Sequence, residues 1–343
     1  MTSRSILPPR AAQFSPAQSS PAQSSPAHSS PAQSSPAQSS PAQSRSALTR
    51  RRLLAGAAGA AAAAGLVACG AQDPLGDPRQ AAEVGGDDRL PPETAPPEIP
   101  DQPPVITGSF VSPAMAGRET SWAVARPNGV TGELPVVIVA HALNTSDKTI
   151  FGKSLNIQGV LQEYVDAGNA PFAIAAADVG RNYFHPRTDG ADGAAMLLNE
   201  FIPMLDADPQ LNLRTDRFGL YGWSMGGYGA LRIGALVGAP RVAAIAVSSP
   251  ALWADPNNFP PRAFDSMADY QANSLFGQQD RFSKIPLMIS IGSADQFYTY
   301  TRQWASALHP PAAFGTSPGG HTNRFWRSVL PEQIEFLGRN LAL

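Results

Sequence analysis

Residues 222–227 read Gly222-Trp223-Ser224-Met225-Gly226-Gly227, a serine with a glycine two positions away on each side. Phe218-Gly219-Leu220-Tyr221 before it has the character of a short buried strand, and Tyr228 to Val237 behind it carries apolar residues at helical spacing. Strand, sharp turn and helix form the setting in which a serine hydroxyl is presented as a nucleophile. Side chains two residues from the serine would collide in such a turn, so Gly222 and Gly226 are expected to relieve the crowding. The free N–H groups and positive dipole end of the following helix would then face negative charge formed at the serine. The chemistry this implies is acyl transfer.

In a glycine- and alanine-rich chain the same string can mark a plain turn. What separates the two readings is a base and an orienting acid further along, in the order serine, acid, histidine. Between Asp280 and the last histidine the acids are Asp280 and Asp295. Asp280 stands beside Arg281 ahead of the apolar run Pro286 to Ile291, a place for a solvated pair. Asp295 follows that run in Gly292-Ser293-Ala294-Asp295, just past a strand end, and is the acid candidate; capping a helix that begins at Gln296 is its competing role. Of the five histidines, His28 lies in low-complexity sequence, His309 precedes two prolines, and His185 comes before the acid in an aromatic loop. His141 ends an apolar run, where it would shape an oxyanion loop. His321 closes Ser317-Pro318-Gly319-Gly320-His321, a loop flexible enough to swing imidazole toward the serine, ahead of an amphipathic helix through Phe325, Trp326, Leu330, Ile334 and Leu337. Ser224, Asp295 and His321 are the expected triad.

Two further stretches carry a resemblance. Leu134-Pro135-Val136-Val137-Ile138-Val139-Ala140-His141 looks like a third-strand motif, and Asn199-Glu200-Phe201-Ile202-Pro203-Met204-Leu205-Asp206 looks like a Glu-Leu-Ile-Pro helix. With the serine and Gly-Gly-His motifs, residues 105–343 resemble the branch of the α/β-hydrolases that holds esterase D, feruloyl esterases and the secreted mycolyltransferases. The resemblance implies a mostly parallel central sheet with helices on both faces. Many members follow the third-strand histidine with glycines; this chain has Ala142-Leu143-Asn144-Thr145, and the mycolyltransferases have a small residue and then leucine. That similarity implies an oxyanion hole made by the backbone N–H groups of Leu143 and Met225, with added bulk beside the acyl pocket.

The elements that must position these residues are legible as strand-like runs at Ser121 to Ala125, Val136 to Ala140, Phe172 to Ala176, Arg217 to Tyr221, Val242 to Val247 and Leu287 to Ile291, alternating with helical stretches. Several are continuously apolar, as parallel strands buried on both faces must be. Residues 105–343 are long enough for one α/β domain with a single large core. Hydrophobic residues make up 43% and the formal net charge is −2, with no basic stripe or motif for nucleic acid, no phosphate cradle and no metal-ligand spacing. No cofactor is expected, and oligomeric state is not legible.

The N-terminal part divides differently. Within residues 1–48, positions 15–44 are six copies of Ser-Pro-Ala-Gln-Ser, one with His28 in place of glutamine; such sequence cannot bury a core, and it reads as a disordered extension or a mis-assigned start. Residues 49–69 open with Thr49-Arg50-Arg51-Arg52-Leu53-Leu54, continue as an alanine-rich apolar run and end in Leu66-Val67-Ala68-Cys69. This resembles a twin-arginine signal with a bacterial lipobox. Cys69, the chain's one cysteine, would be the lipidated first residue of an enzyme anchored on the outer face of the cytoplasmic membrane. Residues 70–104, rich in Pro, Asp, Glu and Gly, read as a tether.

The expected reaction is ester hydrolysis through an acyl-enzyme, on an extracytoplasmic small-molecule or lipid ester. Trp223, Arg181, Tyr183, Trp253 and Phe297 are candidates for the pocket wall because they sit at or just after strand ends. Two other functions fit the sequence: an acyltransferase in which a sugar hydroxyl replaces water, and a non-catalytic binding protein that keeps the fold.

Overall fold

Along the central strands successive side chains enter two different cores. Val136, Ile138 and Ala140 belong to one and Val137 and Val139 to the other, which is the period-two consequence of burying both faces of a sheet. The computed structural model describes residues 105–152 and 155–342. The low-complexity repeat, the signal-like segment with Cys69 and the tether lie outside the described residues.

The strands are β1 (Ile106–Ser112), β2 (Arg118–Ala125), β3 (Leu134–Ala140), β4 (Ala173–Ala177), β5 (Leu213–Trp223), β6 (Val242–Ser248), β7 (Leu287–Gly292) and β8 (Ala313–Ser317). They form one eight-stranded sheet in the order β1-β2-β4-β3-β5-β6-β7-β8. β1 and β2 run antiparallel to each other, as do β2 and β4, and every later pairing is parallel. The helices are α1 (Asp147–Ile150), α2 (Ile157–Asp166), α3 (Gly193–Met196), α4 (Ile202–Ala207), α5 (Met225–Val237), α6 (Met267–Asn273), α7 (Tyr298–Ala305) and α8 (Asn323–Leu341).

On one face, Met225, Tyr228, Leu231 and Ile233 of α5 pack with the first core. On the other, Ile157 and Leu161 of α2 and Trp326, Leu330, Ile334, Leu337 and Leu341 of α8 pack with the second. This is the α/β-hydrolase arrangement of a mostly parallel sheet covered on both faces. Each of the six strand-like runs falls on a strand.

The edge strands β1 and β8 escape a reading based on apolar runs because they bury little: every residue of β8 is exposed. The helix read over Asn199 to Asp206 is a single turn of π-helix, Leu197–Phe201, that passes into α4. A proline ring clashes with the carbonyl four residues earlier, and the widened turn relieves this around Pro203. Glu200 in that turn accepts the Ala114 N–H at 2.8 Å and the Ser112 hydroxyl, fixing the β1–β2 connection.

Candidate active site

Ser224 occupies φ +54° and ψ −122°, a region that L side chains rarely enter. The end of β6, the loop after it and the first turn of α5 hold it there: its N–H donates to Ser248 O at 3.0 Å, and its carbonyl accepts Ala251 N–H at 2.9 Å and Tyr228 N–H at 3.1 Å. The glycines around it are required by backbone, not by side chains. A Cβ on Gly222 would lie 2.2 Å from Gly226 O, and one on Gly226 would lie 1.8 Å from Ala140 O. The turn is thus wedged against the end of β3, and α5 begins at Met225 with its N-terminus beside the hydroxyl.

Asp295 stands at the end of β7, where a turn closed by its own N–H to Gly292 O at 3.0 Å leads into α7. It is not the N-cap weighed for it, a position that falls to Phe297, yet both of its oxygens are engaged. Oδ1 accepts the Phe297 N–H at 2.9 Å, organising the start of the helix, while Oδ2 accepts from His321 Nδ1 at 3.0 Å. The helix starts at Tyr298, later than Gln296, because Phe297 is its capping position.

The ring of His321 is oriented by that carboxylate, so Nε2 presents its lone pair to the Ser224 hydroxyl at 2.8 Å. Phe297 and Trp326 pack their rings against the imidazole at 5.3 and 4.9 Å. The loop that carries it is tied rather than free: Gly319 O accepts Ala294 N–H at 2.8 Å and Ser317 O accepts Ser293 N–H at 2.9 Å.

Only 4% of Ser224, 4% of Asp295 and 7% of His321 is exposed, so the charges that develop here would be poorly screened by water. Burial by itself raises the Asp295 pKa, but the neighbouring His321 and the bonds it receives outweigh this and hold the carboxyl below its ordinary range. Ser249, buried beside it, makes no well-formed hydrogen bond through Oγ, yet its hydroxyl dipole favours the anion. No motif marks Ser249 in the sequence.

Leu143 lies in a turn beyond β3 that is closed by Thr145 N–H to Ala142 O at 3.2 Å, with Asn144 at φ +63°. Met225 is the first residue of α5, so helix geometry leaves its N–H without an intrahelical acceptor. His141 shapes this loop from the inside. Its Nε2 accepts Val179 N–H at 3.0 Å, which leaves Nδ1–H to donate to Ala142 O at 2.9 Å.

The five pocket candidates separate. Trp223 is corrected: its indole packs with Tyr221 and Trp326 under α8, and it backs His321 through Trp326 instead of lining a cleft. Tyr183, Trp253 and Phe297 form a linked row, with centroids 5.8 Å apart for Tyr183–Trp253 and 5.3 Å for Trp253–Phe297. This row packs beside the site, no more than 2% exposed, with Trp253 edge-on to Phe264 and Phe297 against the His321 ring. Arg181 alone is exposed, and its Nη1 donates to Asn144 Oδ1. His185 is likewise structural, with Nε2 at 2.8 Å from Ala263 O. Arg281 donates to Ala235 O at 3.1 Å, whereas Asp280 is exposed.

Sequence reasoning missed Gln333. This side chain of α8 is fully buried and donates Nε2 to Val247 O at 3.1 Å and Ser290 Oγ at 3.2 Å, while Oε1 accepts Ser248 Oγ at 2.9 Å. It ties the helix after His321 to the ends of β6 and β7. Among the described residues no group of three or more His, Cys, Asp or Glu is placed to hold a metal. A cavity of about 280 Å³ lies at the opposite edge of the sheet, between Leu287 at the start of β7 and Ala312 just before β8.

Fold and site together define a hydrolase-type α/β protein with a hydroxyl nucleophile candidate. The chain belongs to the esterase family described as Putative esterase, whose sequence profile matches residues 112–337. Solved structures share its fold. A ferulic acid esterase aligns with TM-score 0.56 at 18% identity, over 69% of this chain and 98% of its own. FphF, a fluorophosphonate-binding serine hydrolase of Staphylococcus aureus, gives 0.56 at 17%, over 68% and 98%. MPT51 of Mycobacterium tuberculosis gives 0.53 at 14%, over 70% and 99%. No curated protein matches the chain in sequence.

Proposed function

We propose that this protein is a serine carboxylesterase that hydrolyses its substrate through an acyl-enzyme. The carrying observation is the continuous hydrogen-bonded line Ser224–His321–Asp295, at 2.8 and 3.0 Å, in a nearly closed site. Ser224 Oγ attacks the ester carbonyl as His321 Nε2 takes its proton. Asp295 holds the imidazole in the required tautomer and stabilises the imidazolium that forms. The oxyanion is received by the N–H groups of Leu143 and Met225, aided by the N-terminal end of α5. His321 then returns the proton to the leaving alkoxide, and water attacks the acyl-enzyme by the same route in reverse.

The acceptor distinguishes this from an acyltransferase, in which a sugar hydroxyl would take the place of water. Hydrolysis of a short nitrophenyl ester series, with and without trehalose, separates the two: an esterase releases free acid at the same rate in both. The twin-arginine-like segment and Cys69 support an extracytoplasmic, lipid-anchored enzyme. Ser224→Ala tests the chemistry, since alanine suits the elbow sterically and removes the nucleophile alone. Hydrolysis is expected to fall on the order of a million-fold, with the circular dichroism spectrum unchanged. Activity kept within about tenfold would exclude serine catalysis.

A further inference from the structure

Arg181 lies at the same edge of the sheet as Ser224, in the loop that follows β4. It is exposed, and its one hydrogen bond among those described goes to the neutral carboxamide of Asn144, the residue next to Leu143. Asn144 in turn is held at φ +63° by the Ala142–Thr145 turn. A cation is thus fixed to the loop that supplies an oxyanion donor, with most of its donors unused. Lys148, exposed on α1 and near enough to act on Asp178, is a second cation at this rim. The other charges are engaged. Asp178 accepts Gly180 N–H at 2.7 Å and faces the His141 ring at 3.4 Å, while Arg187 pairs with Asp265 and donates to Arg262 O at 2.7 Å.

The strand order gives this cation a direction relative to the chemistry. β4 is next to β3, and β3 is next to β5, so at about 4.8 Å per strand the end of β4 stands roughly 10 Å from the serine. Asp295 and His321 arrive from β7 and β8, on the other side. His321 must protonate the leaving oxygen, which places the alcohol on the β7–β8 side. The oxyanion points at Leu143 and Met225. With the alcohol on the β7–β8 side, the acyl chain is assigned to the opposite side of the carbonyl, that of β4, where Arg181 stands beyond the oxyanion loop.

We infer that Arg181 recognises an anionic group on the acyl part of the substrate, so that the preferred esters are those of acidic acyl groups such as dicarboxylic half-esters. This rests on the reading of Ser224 as nucleophile. A guanidinium matches a carboxylate with two parallel N–H donors, and at a rim open to solvent such a contact selects among substrates.

The test compares nitrophenyl half-esters of glutarate and adipate with the neutral pentanoate and hexanoate esters, using the full chain. At least one half-ester should exceed its neutral counterpart about tenfold in kcat/KM, and the ratio should shrink as salt rises. Arg181→Ala should bring the ratio near one, and Arg181→Glu should invert it. A carboxylate placed on the nitrophenol instead should give no comparable preference; a preference there alone overturns the acyl assignment. A wild-type ratio at or below one, or a ratio that survives Arg181→Ala, overturns the inference and leaves the serine mechanism standing. Calorimetric binding of adipate monoamide to Ser224→Ala protein gives a readout free of turnover. Binding that is lost in the Ser224→Ala, Arg181→Ala double variant supports the site, and absence of binding to Ser224→Ala overturns it.

Discussion

At the scale of single residues, Asp295 does two jobs with two oxygens, and a substitution can take one away. Asn in its place keeps an oxygen for the Phe297 N–H but turns an N–H donor toward His321 Nδ1, which favours the imidazole tautomer that cannot accept the serine proton. Asp295→Asn is therefore expected to lower kcat by about a thousand-fold or more with little change in KM. Steady-state kinetics on a nitrophenyl ester checks this, and a loss below tenfold would move the orienting role to another group. The carboxyl is held below its ordinary range, so its ionised form stabilises the fold above that range, and the contribution is lost as pH falls through the depressed value. The variant should accordingly show a shallower decline in thermal midpoint on acidification than the wild type. The order of serine, acid and histidine was legible in the chain because the acids near the last strand are few. Ser249 and Gln333 were not, since a buried hydroxyl and a buried amide acquire meaning only from what the fold places beside them.

At the scale of elements, the elbow is a contact between backbones. Ala140 O, Gly222 and Gly226 fit together with no room for a Cβ, and no flexible side chain can move aside. Gly226→Ala should lower the unfolding free energy by about 3 kcal/mol or yield insoluble protein, as overpacking at an unyielding site does. Denaturant unfolding measures it. Gln333→Leu tests the tie between α8 and the ends of β6 and β7, because it leaves Val247 O, Ser248 and Ser290 buried without their partner. About 2 kcal/mol of destabilisation is expected, together with a lower kcat from a less firmly held His321; a neutral effect on both would show that the network is redundant. The central strands could be read from the sequence because burial on both faces demands continuous apolar runs. β1 and β8 could not, since each covers one side of the sheet at most. How deeply the row of Tyr183, Trp253 and Phe297 is buried could not be read from the sequence, since being near a strand end says nothing of what packs over it, as Phe264 packs edge-on against Trp253.

For the whole molecule, the catalytic edge and the proposed membrane anchor are separate problems, and their candidate residues lie in separate stretches of sequence. Everything the proposed reaction uses lies between Leu143 and His321, whereas the arginine cluster, the apolar run and Leu66-Val67-Ala68-Cys69 come before residue 70. An alanine-rich peptide of that kind binds a bilayer weakly. Acyl chains on Cys69 would hold firmly, because each buried CH₂ contributes about 0.8 kcal/mol and more than one chain is needed for stable anchoring. The proline- and acid-rich stretch from 70 to 104 could then hold the enzyme clear of the headgroups, leaving the triad free to meet esters in solution. In a bacterial host, native protein should sediment with membranes, and mass spectrometry should find a lipidated Cys69 as its first residue. Cys69→Ser should shift the activity to the unprocessed or soluble fraction while the specific activity per folded molecule stays the same. An unmodified terminus downstream of Cys69 in the wild type would instead establish a freely secreted enzyme, and the anchor would be excluded.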